Sequence, residues 1–244
     1  MKDANVWVGL FLVIIILIIW RIIFPKVSKK AGQAGEENTV KLIKQFIKWK
    51  GWKKEDYLLV SNLILQKKNY WSCEIDILLL TRKWIYVIEV KDWQVGTLRG
   101  NFNDEYLELS WKVKWRRKYW RQRVYSPFFQ NETHIKRLKS YFYLSEPNIL
   151  SVVVFNSPDL GFNFKRNKKL VLQEKFTLTN YSKGRGIAEI LTKYESQNTQ
   201  LNSFEKLREK IGKEMLIIDP NKARKHYSYI KSTKEGRKLR EILK

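Results

Sequence analysis

The chain has very few of the residues that form disulfides and zinc sites. Its 244 residues include one cysteine, Cys73, and two histidines, His134 and His226. A single cysteine excludes an intramolecular disulfide framework and a zinc site built from several cysteines, and two histidines exclude a histidine-rich metal site. Metal chemistry in this chain must therefore use oxygen ligands, which favours Mg²⁺ or Mn²⁺ over Zn²⁺.

Acidic residues are also scarce relative to basic ones. The chain has 24 Asp and Glu against 48 Lys and Arg, which gives a formal net charge of +24. This positive charge has three interpretations. The protein could bind nucleic acid, it could bind the anionic cytoplasmic leaflet of a membrane, or its basic surface could serve only to keep it soluble. Aromatic residues make up 14% of the chain, which excludes full-length disorder. The length suits one medium domain, or one domain with an appendage.

A long apolar run lies near the start of the chain. Residues 6–20 are fifteen residues without a polar side chain, and the run resumes after Arg21 to make nineteen residues in all. A helix of that length spans about 28 Å, close to the ~30 Å hydrocarbon core of a bilayer. Residues 6–24 are therefore predicted to form one transmembrane helix.

A cleaved signal peptide and a buried core helix are the alternatives to this anchor. A signal peptide needs a positively charged start and a nearby small-x-small site, whereas Lys2 and Asp3 cancel and no such site follows closely. More basic residues follow the run than precede it. The protein is therefore expected to be a single-pass protein of the cell membrane, with its C-terminal domain in the cytoplasm and residues 25–35 as a basic linker.

Hydrophobic spacing in the body of the chain predicts an α/β fold. A helix is expected over 36–50, and strands are expected over 57–66, 73–80, 84–91, 96–98 and 106–115. A second helix should begin at Pro127, followed by strands over 150–155 and 169–172 and mainly helices from Gly186. This order predicts one small mixed sheet flanked by helices, with a basic tail over 221–244.

Two neighbouring strands carry charged residues in otherwise apolar runs. Asp76 interrupts the first, and Glu89 and Lys91 share a face of the second because side chains alternate along a strand. In a hairpin, Asp76 would lie opposite Glu89 and Lys91. A divalent cation relieves the repulsion between two close carboxylates and can be completed by phosphate oxygens, as metal-dependent phosphodiester hydrolysis requires. A buried salt bridge is the simpler alternative from spacing alone.

Five short motifs follow one another in the body of the chain. They are residues 32–36 (GQAGE), 73–79 (CEIDILL), 87–91 (VIEVK), 96–100 (GTLRG) and 126–131 (SPFFQN). In this order they resemble the motifs of the nuclease-related domain (NERD) family, within the PD-(D/E)xK nuclease-like superfamily. The resemblance covers residues 32–145 and departs from the family pattern at Ser126 and Asp92. It implies a restriction-endonuclease-like α/β core over 36–145, completed by residues 146–220.

The resemblance also implies roles for residues of the two charged strands. Asp76 and Glu89 would bind Mg²⁺ or Mn²⁺, with the Val90 carbonyl as a third ligand. Lys91 would position the attacking water and stabilise charge. Glu74 shares the face of Asp76 by alternation and would be a further acid.

Residues of the two predicted helices would complete the site. Glu36 would reach it from the first helix, with Glu37 as the alternative, and Gln130 would orient the scissile phosphate or a ligand water. His134 lies four residues after Gln130 and shares its helix face. The resemblance leaves His134 open, as a phosphate contact or proton shuttle on one interpretation and an ordinary partly buried histidine on the other.

Basic and aromatic residues interleave over 111–125. The segment has seven Lys and Arg residues and no acid. Its cations could follow phosphates while its aromatic rings stack on bases. Alternatively it is an amphipathic strand-to-helix segment whose tryptophans are core residues. The predicted nucleic-acid-binding residues are Lys112, Lys114, Arg116, Arg117, Lys118, Arg121 and Arg123.

The sequence therefore predicts a membrane-anchored nuclease that depends on Mg²⁺ or Mn²⁺ and acts on nucleic acid, DNA in preference to RNA, at the cytosolic face. One alternative is a non-catalytic protein that binds nucleic acid or a membrane surface on a nuclease-like scaffold. Another is a basic surface that docks lipid, without nucleic acid. The presence of all five motif residues favours the first. These residues are Glu36, Asp76, Glu89, Lys91 and Gln130.

Overall fold

A computed structural model describes residues 14–15, 34–67, 71–93, 95–102, 104–112, 119–145, 148–156, 159–164, 176–180 and 186–216. The predicted anchor over 6–24, apart from two residues, lies outside these ranges, as do most of the linker, the predicted strand over 169–172 and the basic tail. Among the described residues, no helix is both long and apolar enough to span a bilayer.

The larger of two sheets has five strands, in the order β1 (Tyr57–Lys67), β2 (Trp71–Thr81), β3 (Ile85–Lys91), β7 (Ile149–Phe155) and β9 (Phe176–Asn180). Its first three strands are antiparallel, whereas β7 pairs parallel to β3 and β9 pairs parallel to β7. The central strands β3 and β7 are buried almost throughout, as expected from their continuous runs of Val, Ile and Leu.

Helices cover both faces of this sheet. Helix α1 (residues 34–50) and α3 (Gly186–Glu195) pack on one face, where Ile43, Phe46 and Ile47 recur at helical spacing. Helices α2 (Pro127–Phe142) and α4 (Phe204–Leu216) pack on the other face. In this sheet and its helices the predicted α/β order over residues 36–155 is confirmed, with boundaries shifted by one or two residues, whereas β9 was not predicted.

The sequence predicted one mixed sheet, but the structure has a second, smaller sheet. Its order is β6-β5-β4-β8, with β4 (Val95–Gly100), β5 (Tyr106–Lys112), β6 (Tyr119–Tyr125) and β8 (Asp159–Phe164). The strand predicted over 106–115 ends at Lys112. Its partner β6 lies in the basic and aromatic segment over 111–125, where no second strand was predicted. Phe128 of α2 and Phe155 of β7 join the apolar face of this sheet, so it lies beside the start of α2.

The alternation of side chains breaks in the middle of β1 and β2. Ile75 and Leu78 face the same apolar cluster, although strict alternation would place them on opposite faces. The break coincides with Asn62 of β1, which has a φ of 55°, a left-handed conformation that Asn tolerates better than most residues. Asn62 falls opposite Asp76 in the register, so Asp76 occupies the point where the strand changes faces.

Candidate functional site

The backbone pairing of β2 with β3 stops just before the charged residues. Their ladder runs from Leu80 and Ile85 to Ile77 and Ile88, and the next positions are Asp76 and Glu89. There the Asp76 Oδ2 atom accepts a hydrogen bond of 2.8 Å from the backbone N–H of Val90. The Asp76 carboxylate therefore points sideways at β3, next to Glu89 and Lys91, as the hairpin interpretation expected.

Lys91 joins the two strands to helix α2. Its Nζ atom donates to Glu89 Oε1 at 2.5 Å and to Gln130 Oε1 at 3.2 Å. Burial alone would lower the pKa of Lys91, but the Glu89 and Asp76 carboxylates outweigh it and raise the pKa. Lys91 is therefore an ammonium ion at neutral pH, held between an acid and an amide.

The second carboxylate oxygen of Glu89 has no such donor. The side chain is fully buried, and among the described residues Oε2 has no hydrogen-bond partner. His134 Nδ1 lies 3.4 Å away without hydrogen-bond geometry. Burial, followed by the Lys91 and Arg137 charges, lowers the pKa of His134 to about 3, so the imidazole is neutral and forms no ion pair. Among the described residues, a buried carboxylate oxygen is thus left without a hydrogen-bond donor.

Further acids converge on the same place. Burial raises the pKa of Asp76 to about 7, and the charges of Glu89 and Glu74 add to the rise. The pKa of Glu36 also rises to about 7, first through burial and then through the charges of Asp76, Glu74 and Glu89. Glu36, not the exposed Glu37, therefore faces the other carboxylates. We call Glu36, Glu74, Asp76 and Glu89 the carboxylate cluster.

The start of α1 is fixed to the ends of the central strands. Asn156, just after β7, donates from Nδ2 to Gly35 O at 2.6 Å and from its backbone N–H to Lys91 O at 3.0 Å. A Cβ atom on Gly35 would lie 2.7 Å from that Nδ2 atom and 3.3 Å from Asp92 Cβ. Glycine is needed because the helix approaches this closely, and the approach brings Glu36 to the cluster. Sequence reasoning missed Asn156, which no local pattern marks.

The start of α2 is set by its own sequence. Ser126 is the N-cap, and its side chain accepts a hydrogen bond of 3.4 Å from the N–H of Phe129. Pro127 occupies the first turn, as predicted. Although Ser126 departs from the family pattern, it still caps the helix, and the cap leaves Gln130 facing Lys91.

Asn131 fastens α2 to the larger sheet. It is fully buried, and its Nδ2 atom lies within hydrogen-bond distance of Val87 O, Ser151 Oγ and Val152 O, at 2.8, 2.9 and 3.1 Å. These contacts hold the helix one residue beyond Gln130. The residue belongs to the last of the five motifs, but no local pattern indicates this anchoring role.

Three of the seven predicted nucleic-acid-binding residues belong to the part of the chain that the structure describes. Arg121 and Arg123 are exposed on β6, an edge strand of the smaller sheet. Arg121 Nε is 3.8 Å from Glu108 Oε1, and the Arg123 guanidinium lies 4.4 Å from the centre of the Tyr106 ring. Lys112 ends β5. Lys114, Arg116, Arg117 and Lys118 lie outside the described residues.

The oxygen atoms of the site can be compared with the ligands that a divalent cation requires. In the part of the chain that the structure describes, no group of three or more His, Cys, Asp and Glu is arranged to hold a metal. Mg²⁺ commonly takes only one or two protein carboxylates and keeps several waters. Asp76, Glu89 and the Val90 carbonyl supply that smaller set, and the unpartnered Glu89 Oε2 is a free ligand atom. The residues present therefore fit a cation of this kind.

Comparison with protein families gives one result. The family model described as nuclease-related domain (NERD) matches residues 31–156, just over half of the chain. The match begins before α1 and ends at Asn156, so it includes the whole carboxylate cluster, Lys91 and Gln130. No curated protein and no solved structure matches the chain.

Proposed function

The chain belongs to the nuclease-related domain family, and from this premise we propose that it is a divalent-metal-dependent nuclease that hydrolyses phosphodiester bonds. The family indicates a nuclease-like function. The dependence on Mg²⁺ or Mn²⁺, the preference for DNA, the restriction-endonuclease-like core and the attachment to the cytosolic face of a membrane through residues 6–24 are parts of the proposal. Extraction of the full chain from membranes at alkaline pH would test the anchor, because only an inserted protein resists it.

One observation carries the proposal. Lys91 is held by Glu89 and Gln130 beside Asp76, while Glu89 keeps a buried oxygen without a donor. A purely structural ion pair would be expected to satisfy both carboxylate oxygens, because an unpartnered buried acceptor costs about 1–3 kcal/mol. The arrangement thus favours a site over a structural salt bridge.

The side chains of the site can be given separate tasks. A cation held by Asp76 and Glu89 would polarise a phosphate oxygen and acidify a bound water. Lys91 is protonated, so it acts as a donor and not as a base; two of its N–H groups face Glu89 and Gln130, and the third can reach a phosphate oxygen. Glu36, with a pKa of about 7 in the metal-free protein, can take up a proton at neutral pH.

A non-catalytic scaffold is the second candidate. It is favoured by the close pairing of Lys91 with Glu89, which already neutralises one acid, and by the small number of acids in a metal-binding arrangement among the described residues. Fold alone does not decide between a scaffold and an enzyme. Such a protein would bind nucleic acid and leave it intact.

Binding and cleavage measured side by side separate the two candidates. The full chain, in a neutral detergent, would be assayed with Mg²⁺ and with Mn²⁺ as wild type, Lys91→Ala and Lys136→Ala. Lys136 is an exposed lysine on α2 and serves as the control. Lys91→Ala should cut at least about 100-fold more slowly, because a charge-stabilising donor is lost, while its DNA affinity stays within about twofold. Wild-type cleavage by Lys91→Ala would reject the proposed role, and binding without cleavage by the wild type would favour the scaffold.

A further inference from the structure

An open groove begins at Glu36 of the carboxylate cluster and runs along α1. It has a volume of about 580 Å³ and lies between α1 and the outer residues of β1, with Ser61 and Asn62 on the strand side. Glu36 lines both this groove and the cluster. The groove is thus continuous with the proposed site.

Three lysines give the groove its charge. Lys41, Lys44 and Lys48 line it from α1, and all three are exposed. Their spacing of three and four residues places them in one stripe along the helix, about 10 Å long. They form no ion pair with any other described residue, although Glu37 lies one turn before Lys41.

The groove has opposite charges at its two ends. Glu36 and Glu37 stand at the end next to the cluster, and the lysines occupy the rest. A polyanion would be repelled by the carboxylates alone, so a substrate needs cations nearby to hold the neighbouring phosphates. Phosphates follow one another every 3.4 Å or more along a strand, so a stripe of about 10 Å can face several of them at once.

The geometry points to this groove as the path of the nucleic-acid backbone, with Lys41, Lys44 and Lys48 binding phosphates that flank the one at the cluster. The inference rests on the proposed nuclease function and adds to it the track of the substrate. It also differs from the sequence prediction, which placed nucleic-acid binding over residues 112–123. The groove lies on the α1 face of the larger sheet.

A binding experiment without metal tests the path separately from catalysis. The triple variant Lys41→Gln, Lys44→Gln and Lys48→Gln keeps the helix propensity and removes three charges. The matched control changes Lys206, Lys210 and Lys213 to Gln, which removes three exposed lysines from α4 on the opposite face of the sheet. Affinity of the full chain for a fluorescent single-stranded oligonucleotide would be measured in EDTA over a range of salt concentrations.

We expect the groove variant to bind the oligonucleotide about 10- to 100-fold more weakly than the wild type at about 0.1 M salt. A plot of log K against the logarithm of the salt concentration should also be shallower, with a slope smaller by about 2, because three phosphate contacts are lost. The α4 variant should stay close to the wild type. Equal affinities and slopes in the two variants would overturn the inference, as would a wild type that binds no oligonucleotide. If the wild type cleaves DNA and the groove variant binds normally, only the path is wrong and the nuclease proposal stands.

A membrane surface is the competing partner for these lysines. The melting temperature of the full chain would be compared in neutral and in phosphatidylserine-containing nanodiscs. Stabilisation by the anionic lipid that is lost in the groove variant, with oligonucleotide affinity unchanged, would assign the stripe to lipid and overturn the inference. Unchanged stabilisation together with weakened oligonucleotide binding supports it.

Discussion

Replacing Asp76 with Asn should stabilise the metal-free protein at alkaline pH, although Asp76 belongs to the proposed site. In the folded chain the pKa of Asp76 is raised from 3.8 to about 7. A raised carboxyl pKa contributes stability that is fully present below the unfolded-state value and is lost as pH rises through the folded-state value. Metal-free wild type should therefore become less stable between about pH 4 and pH 7, and Glu36 acts in the same direction with a smaller weight because it is half-exposed.

The expected rise in melting temperature can be calculated from the raised pKa of Asp76. A difference of about three pKa units corresponds to a free energy on the order of 4 kcal/mol between the protonated and ionised forms. Asn is neutral and keeps an oxygen that can accept from the Val90 N–H, so Asp76→Asn should remove most of this cost. For a chain of this size, 1 kcal/mol shifts the melting temperature by about 2–4 °C. At pH 8 in EDTA the variant should melt roughly 8–15 °C above the wild type.

Tryptophan fluorescence during heating of the full chain provides the assay. At pH 4, close to the unfolded-state pKa of 3.8, little of this cost has built up, so the two proteins should melt within about 2 °C of each other, which serves as the control. Excess Mg²⁺ should stabilise the wild type at pH 8 and have little effect on Asp76→Asn. A variant that melts at or below the wild-type temperature in EDTA at pH 8 would refute this account of the acids.

Two further substitutions examine how the helices are held. Asn131→Leu should destabilise the fold by about 1–3 kcal/mol in urea unfolding, because it removes the donor shared by Val87 O and Val152 O; unchanged stability would mean that these contacts do not anchor α2. Gly35→Ala should lower cleavage about tenfold or more, since a new Cβ would lie 2.7 Å from Asn156 Nδ2 and displace Glu36. Cleavage at the wild-type rate by Gly35→Ala would contradict the positioning role of that contact.

The relative positions of the charged residues on β2 and β3 could be predicted from the sequence. Alternation along β3 placed Glu89 and Lys91 on one face, and a short hairpin placed Asp76 across from them, as the structure has it. The sideways direction of Asp76 could not be predicted, because it depends on the left-handed Asn62 on the neighbouring strand, where β1 and β2 change faces. A periodic pattern does not reveal a local break of this kind.

The second sheet and the helix anchors depend on contacts between distant residues. β8 pairs parallel to β4, and β9 pairs parallel to β7, so neither strand has a hairpin partner that a local pattern could indicate. Asn131 and Asn156 are single polar residues whose roles exist only once the sheet and helices are packed together. The sequence predicted the order of most elements of the larger sheet and the pairing of its charged strands, while the packing that positions the site required the three-dimensional structure.

Cleavage of supercoiled plasmid by the full chain tests the proposed activity most directly. Reactions would contain Mg²⁺, Mn²⁺ or EDTA, and each would be repeated with Asp76→Ala. We expect nicking that requires the metal and is lost in the variant. Nicking that persists in EDTA or in Asp76→Ala would contradict a metal-dependent site at the carboxylate cluster, and tight, salt-sensitive DNA binding without any nicking would identify a binding protein on a nuclease-like fold.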